Sequence, residues 1–266
     1  MEEREKSLDS RKQELSKKYG IDFDKLEREQ IKLAKELEIK DKIDFNLAER
    51  FGAVESIFIK NKILSCIIVC DKNYEVVDRA YVFDKVRFPY FPGFRAYREL
   101  PAMVEAFEKL NEKPDVVFVS GQGLIHPRLG LASHFSLSTG IPTIGVSNSL
   151  LDCKIDGDVE DGADILKEDK ENFEKIKNSK FSKKDLEEIS FGKANYSKSS
   201  KKIGKVLITK PGSNPMFISP GDKITVKSAY EISRNLINLP HKRPEPMHLV
   251  SKYAKEVKKE LVVERD

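Results

Sequence analysis

At 266 residues, with 39% hydrophobic and 35% charged residues, the chain suits one large domain with a sizeable core and a heavily charged surface. No apolar run approaches the ~20 residues of a membrane-spanning helix, and the opening "MEEREKSLDSRKQ" lacks the pattern of a signal peptide, so the expected location is the cytoplasm, with no membrane partner. The net charge of +4 permits a nucleic-acid partner but is too weak to argue for one, and the three cysteines fit no zinc or redox spacing.

Residues 1–40 read as a charged helical extension with an imperfect apolar stripe at Leu26, Ile31, Leu33, Leu37 and Ile39. Three strand-like runs follow, "FGAVESIF" (51–58), "ILSCIIVCD" (63–71) and "YEVVDRAYVFD" (74–84). Their short links predict hairpins, hence an antiparallel meander. Cys66 and Cys70 fall on one face of the second strand as small core residues. "FPYFPGF" (88–94) is a stiff loop, because Pro89 and Pro92 restrict the backbone and Gly93 releases it.

A helix is predicted over 95–112, a buried strand over 114–120, a helix ending at Gly140 and a second buried strand over 141–147. Strands alternating with helices imply parallel pairing. A meander followed by helix, strand, helix, strand is the order of a ribonuclease H-like mixed α/β sheet flanked by helices. From 152 to about 202 the composition turns to Lys, Ser, Asp and Glu and reads as a mobile charged insertion. A strand pair (203–210 and 215–221) and two helices close the main body, 41–266.

The stretches "FPYFPGFRAYRELP", "PDVVFVSGQGLIHPRLGLASH", "GIPTIGVSNSLL", "IGKVLITKPGSNPMFISPGD" and "RPEPMHLVSKYA" together resemble the endonuclease V family, whose members nick DNA or RNA near deaminated purines such as inosine. The resemblance covers most of 45–255 apart from the insertion. It implies a Mg²⁺-dependent nuclease, with Mn²⁺ as a substitute, acting as a monomer on nucleic acid that carries a deaminated purine. It also implies five catalytic positions: an aspartate on the first strand, a glutamate on the helix after the proline loop, an aspartate ending the next strand, a lysine after "GV" and a histidine after the late Ser-Pro-Gly. Here those positions hold Glu55, Glu99, Ser120, Asn148 and Asp222, and four of the five depart from the pattern.

Mg²⁺ catalysis needs carboxylates that converge on the scissile phosphate and a water. Ser120 offers a neutral hydroxyl, a poor Mg²⁺ ligand beside a carboxylate, and Asn148 offers no cation for the reacting phosphate. Glu55, Glu99 and Asp222 are the carboxylates left to hold a metal. Each also has a structural alternative: Glu55 paired to a lysine, Glu99 paired to Arg95 or Arg98, and Asp222 capping a helix near Thr225.

By the same resemblance Tyr90, between Pro89 and Phe91 and followed by Pro92, is a wedge that fills the gap left by an extruded base. The side-chain-free Gly121 and Gly123 would let backbone groups approach that base. His126 and Arg128 would contact the substrate backbone, and His134 is expected in the core. The structural alternatives are an aromatic loop packed on the core and a tight turn. These residues favour recognition of inosine-type nucleic acid with cleavage weakened or lost. The alternatives are an active endonuclease using Glu55, Glu99 and Asp222, and a scaffold that binds a protein through the insertion or the N-terminal helices.

Overall fold

A computed structural model describes residues 2–151, 153–167 and 201–263. Helices α1 (Glu2–Tyr19) and α2 (Phe23–Ala34) come first. Asp22 caps α2 by accepting from the Lys25 amide at 2.9 Å. The helix stops well short of residue 40, because the chain there is tied to the sheet: the Asp222 carboxylate accepts from the Glu38 amide at 2.6 Å, and the Glu38 carbonyl accepts from the Lys223 amide. The buried positions of α2 are Phe23 and Gln30, whereas Leu26, Ile31 and Leu33 of the expected stripe are only half-buried.

Strands β1 (Phe51–Ile59), β2 (Lys62–Cys70) and β3 (Val76–Lys85) form the antiparallel meander. Helix α3 (Arg95–Glu108) leads to β4 (Val116–Ser120), and α4 (Leu131–Thr139) leads to β5 (Thr143–Ser147). β4 lies between β1 and β5 and is parallel to both, in keeping with their buried Val, Ile and Phe residues. β8 (Lys201–Leu207) and β9 (Met216–Asp222) follow, with β9 antiparallel to β5. Helices α5 (Val226–Asn235) and α6 (Glu245–Val263) complete the described chain.

The 152–202 segment departs in part from the sequence expectation. Residues 153–155 and 164–167 are strands, β6 (Cys153–Ile155) and β7 (Asp164–Lys167), and they extend the sheet to the order β3-β2-β1-β4-β5-β9-β8-β7-β6. Few apolar residues mark them, but Ile165 packs with Ile125, Ile203 and Val206, and half-buried Ile155 joins that cluster, so a short apolar patch suffices to hold a sheet edge. Residue 152 and residues 168–200 of the expected insertion lie outside the described residues.

Alternation along β1 and β4 decides where the side chains of the site go. Phe51, Ala53, Val116 and Phe118 face the core under α5 and α6, while Val54, Val117 and Val119 face the core under α3 and α4. Glu55 and Ser120 therefore continue the α6 side at adjacent strand positions, one step beyond the Val54–Val119 pair.

Candidate functional site

The carboxyl ends of β4 and β5 and the loop before α3 enclose a cavity of about 430 Å³, lined by Tyr90, Gly93, Arg95, Ser120, Gln122 and Asn148 among others. In open α/β sheets this end of the parallel strands is where ligands bind. A larger open depression of about 640 Å³ lies between α1 and α2 and contains none of these residues.

The expected carboxylate trio does not assemble. Among the described residues, the group of metal-binding side chains whose ligand atoms lie within 4.8 Å of one another does not include Glu55, Glu99 or Asp222. Asp222 ends β9 opposite Thr143, at the start of β5, whereas Ser120 ends β4 opposite Val146. Three residues of strand, ~10 Å, thus separate the two along the sheet. Asp222 is 2% exposed and accepts from the Glu38 amide and the Ser136 hydroxyl. Nor does it cap α5, because the Thr225 hydroxyl itself accepts from the Ser228 amide at 3.1 Å.

Glu55 and Glu99 are each taken by a guanidinium. Arg95 Nε and Nη2 reach the two Glu99 oxygens at 2.5 and 2.9 Å, a bidentate i,i+4 pair on α3, with Glu99 itself 2% exposed. Glu55 accepts from the Ser251 hydroxyl on α6, with Arg243 Nη1 at 3.6 Å, and Arg243 also donates to Ser251. The alternative to a metal ligand at Glu55 was a pairing with a lysine; the partner is an arginine nearly 190 positions away. Arg95 was readable from its spacing to Glu99. Arg243 and Ser251 carry no local signal.

The aromatic loop divides into an anchor and a tip. Phe91 packs against Phe23 of α2 (centroids 4.9 Å apart) and Phe94 (5.8 Å) and is 8% exposed, whereas Tyr90 is 55% exposed. The core-packed alternative therefore holds for Phe91 and fails for Tyr90. Pro89 is half-buried and Pro92 exposed beside the tip.

Gly121 and Gly123 act differently from the sequence expectation. The Gly121 amide donates to the Val146 carbonyl at 3.1 Å and the Gly123 amide to the Ser219 hydroxyl at 3.0 Å, so both amides are spent inward. Gly121 lines the cavity, but Gly123 lies flush on β9, where a Cβ would strike the Pro220 carbonyl. Gly145 completes the arrangement, since a Cβ there would come within 2.5 Å of the Gly123 nitrogen. Side chains of this loop are better placed than its amides to meet a ligand: Gln122 lines the cavity, with its Nε2 at 3.2 Å from the Ser149 carbonyl.

His126 and Arg128 are likewise corrected. His126 is 8% exposed, and its Nδ1 accepts from the Arg128 amide at 3.1 Å. Burial, with the nearby charge of Arg128, pushes its pKa down to about 3, so it is a neutral cavity wall and no phosphate cation. The Arg128 guanidinium donates to Gln30 at 2.6 Å and to the Gly93 carbonyl at 3.4 Å, and approaches Glu27 at 3.7 Å. Gln30 in turn donates to the same Gly93 carbonyl at 3.0 Å. Arg128 therefore clamps α2 to the aromatic loop. His134 is buried as expected, with Nδ1 3.0 Å from the Gly130 carbonyl.

The family model for Endonuclease V matches residues 31–252, a span that holds every residue of the cavity and both carboxylate–arginine pairs. The chain belongs to the endonuclease V family. It is 34% identical over 210 residues to endonuclease V of Thermosipho melanesiensis (79% of this chain, 80% of the relative). To endonuclease V of Archaeoglobus fulgidus it is 30% identical over 243 residues (91% and 96%). Among solved structures, endonuclease V of Bacillus subtilis superposes with a TM-score of 0.69 at 24% identity, covering 89% of this chain and 92% of that one. Ciona intestinalis endonuclease V, solved with a 24mer DNA containing an inosine followed by a ribo-adenosine, gives 0.68 at 20% identity, covering 90% and 98%. These likenesses bear out the ribonuclease H-like fold expected from the order of elements.

The residues at the strand ends do not fit the Mg²⁺ that an endonuclease V implies. Mg²⁺ asks for oxygens in near-octahedral array, one or two of them from carboxylates free to bind it and the rest from water and phosphate. Here one strand end carries a neutral hydroxyl, both nearby carboxylates already hold guanidinium groups, and Asp222 lies at the far end of β5.

Proposed function

We propose that this endonuclease V chain recognises nucleic acid carrying deoxyinosine or inosine and that its phosphodiester cleavage is weakened or lost. The observation that carries the reading is the pairing of Glu99 with Arg95 and of Glu55 with Arg243 and Ser251 around the neutral Ser120. A metal entering there must displace two arginines from their carboxylates and gains no third carboxylate at Ser120 in return. Arg95 lines the cavity with its Nε and Nη2 on Glu99, so its remaining N–H groups are what it can offer a phosphate oxygen.

Recognition is supported by what surrounds the cavity. Tyr90 stands exposed on an aromatic loop that Phe23, Phe91 and Phe94 hold rigid, and Arg128 and Gln30 fasten its Gly93 carbonyl. A preformed aromatic tip beside a cavity suits extrusion of a base, which costs a few kcal/mol and least at a mispaired one. The Ciona relative's complex with inosine-containing DNA supports the same substrate class. The experiment is parallel scoring of binding and nicking on oligonucleotides with one inosine or one guanosine, in Mg²⁺ and in Mn²⁺. Preferential inosine binding with little nicking supports the reading, and equal binding to both overturns it.

A further inference from the structure

One side-chain cluster lies outside the cavity and has no part in the proposed function. His241, in the loop between α5 and α6, and Glu245 and His248, in the first turn of α6, bring one ligand atom each within 4.8 Å of one another. Glu245 and His248 are spaced i,i+3, so the helix sets both on one face, the spacing by which bundle proteins present a Glu-x-x-His pair to a metal. Glu245 is nearly buried, and its Oε2 lies 2.7 Å from His241 Nδ1. The two imidazoles stack with centroids 3.5 Å apart and planes 14° apart.

We infer that His241, Glu245 and His248 form a binding site for one borderline divalent transition metal of the zinc class. Two imidazoles and one carboxylate match what such an ion takes, with N and O donors at ~2.0–2.2 Å and a fourth position left to water. This donor set differs in kind from the all-oxygen set that Mg²⁺ requires. In the stacked arrangement the two imidazole lone pairs lie in nearly parallel planes, so one ring turns to admit the ion. His241 is that ring: its side chain is one-third exposed and sits on a loop, whereas His248 is held by the helix. Ser251, which contacts Glu55, sits one turn further along α6, so the ion would fix the helix that brings Ser251 to the cavity end of the sheet.

The test uses the purified full chain after chelator treatment, titrated calorimetrically with Zn²⁺ and followed in parallel by the visible absorption of Co²⁺. The expected result is one saturable equivalent per chain and a higher Tm with Zn²⁺. Affinity should fall at least tenfold in His241→Ala and in His248→Gln, and persist in Glu55→Gln. His241→Ala alters only a loop side chain, so it remains informative if His248→Gln fails to fold. Absence of saturable binding overturns the inference, as does unchanged affinity in the His241 variant. Loss of binding in Glu55→Gln alone also overturns it, because the ion would then belong to the strand-end carboxylates.

Discussion

Replacing Tyr90 by alanine separates the recognition reading from a packing role more cleanly than any other single change to the loop. Tyr90 is 55% exposed, so its truncation removes little buried area and is expected to alter unfolding stability by no more than ~0.5 kcal/mol. Phe91, 8% exposed and packed on Phe23 and Phe94, would cost ~3–5 kcal/mol for the same change. A base-stacking aromatic is worth ~1–3 kcal/mol, or about 5- to 150-fold in affinity. That loss should appear with an inosine in duplex, where a stack has to be broken, and be much smaller with the same inosine in a single strand. The assay is fluorescence anisotropy with matched duplex and single-stranded oligonucleotides, alongside urea unfolding of both proteins. Equal loss on both substrates, or a stability loss above ~2 kcal/mol, would make Tyr90 a packing residue and refute the wedge.

His126 supplies a pH prediction. Its folded pKa of about 3 lies below the ordinary histidine value of ~6.5, so between the two the unfolded chain takes up a proton that the folded chain does not. Stability should therefore fall as pH drops through that window, by up to ~1.4 kcal/mol per unit from this group, and His126→Gln should flatten the slope when unfolding midpoints are compared from pH 7 to 5. An unchanged slope in the variant contradicts the buried neutral assignment. Ser120→Asp combined with Asn148→Lys should raise the nicking rate in Mg²⁺ while leaving inosine affinity similar, since the added carboxylate sits beside Glu55 and acts on the reacting state. A native protein that already turns over rapidly, with Asp222→Ala abolishing the activity, would show that the site was rebuilt around Asp222.

Elements whose causes are local were legible from the residues. The meander, the alternation of helices with β4 and β5, and the stiff loop all follow from periodicity and from Pro and Gly placement, whereas the outward Tyr90 was expected only through the family resemblance. Contacts between distant segments were hidden. Arg243, in the loop before α6, and Ser251, on α6, reach Glu55, and nothing within either segment announces it. Arg128 looked like a phosphate fork because its partners, Gln30 and Gly93, lie 98 and 35 positions away. Asp222 entered the site through the family's late histidine position, which says nothing of register: β9 runs to Asp222 and leaves its carboxylate opposite Thr143, at the start of β5. Glycine at 121 and 123 signalled close approach correctly, but the approaching partners are β5 and β9.

Retained recognition with impaired cleavage is tested most directly by native protein on two otherwise identical labelled oligonucleotides, one with inosine and one with guanosine, in Mg²⁺ and in Mn²⁺. Binding and strand scission are scored separately on the same samples. The predicted result is tighter binding of the inosine strand with slow scission or none, because Arg95 and Arg243 hold the carboxylates that a metal would need. Rapid, metal-dependent scission of the inosine strand would contradict it.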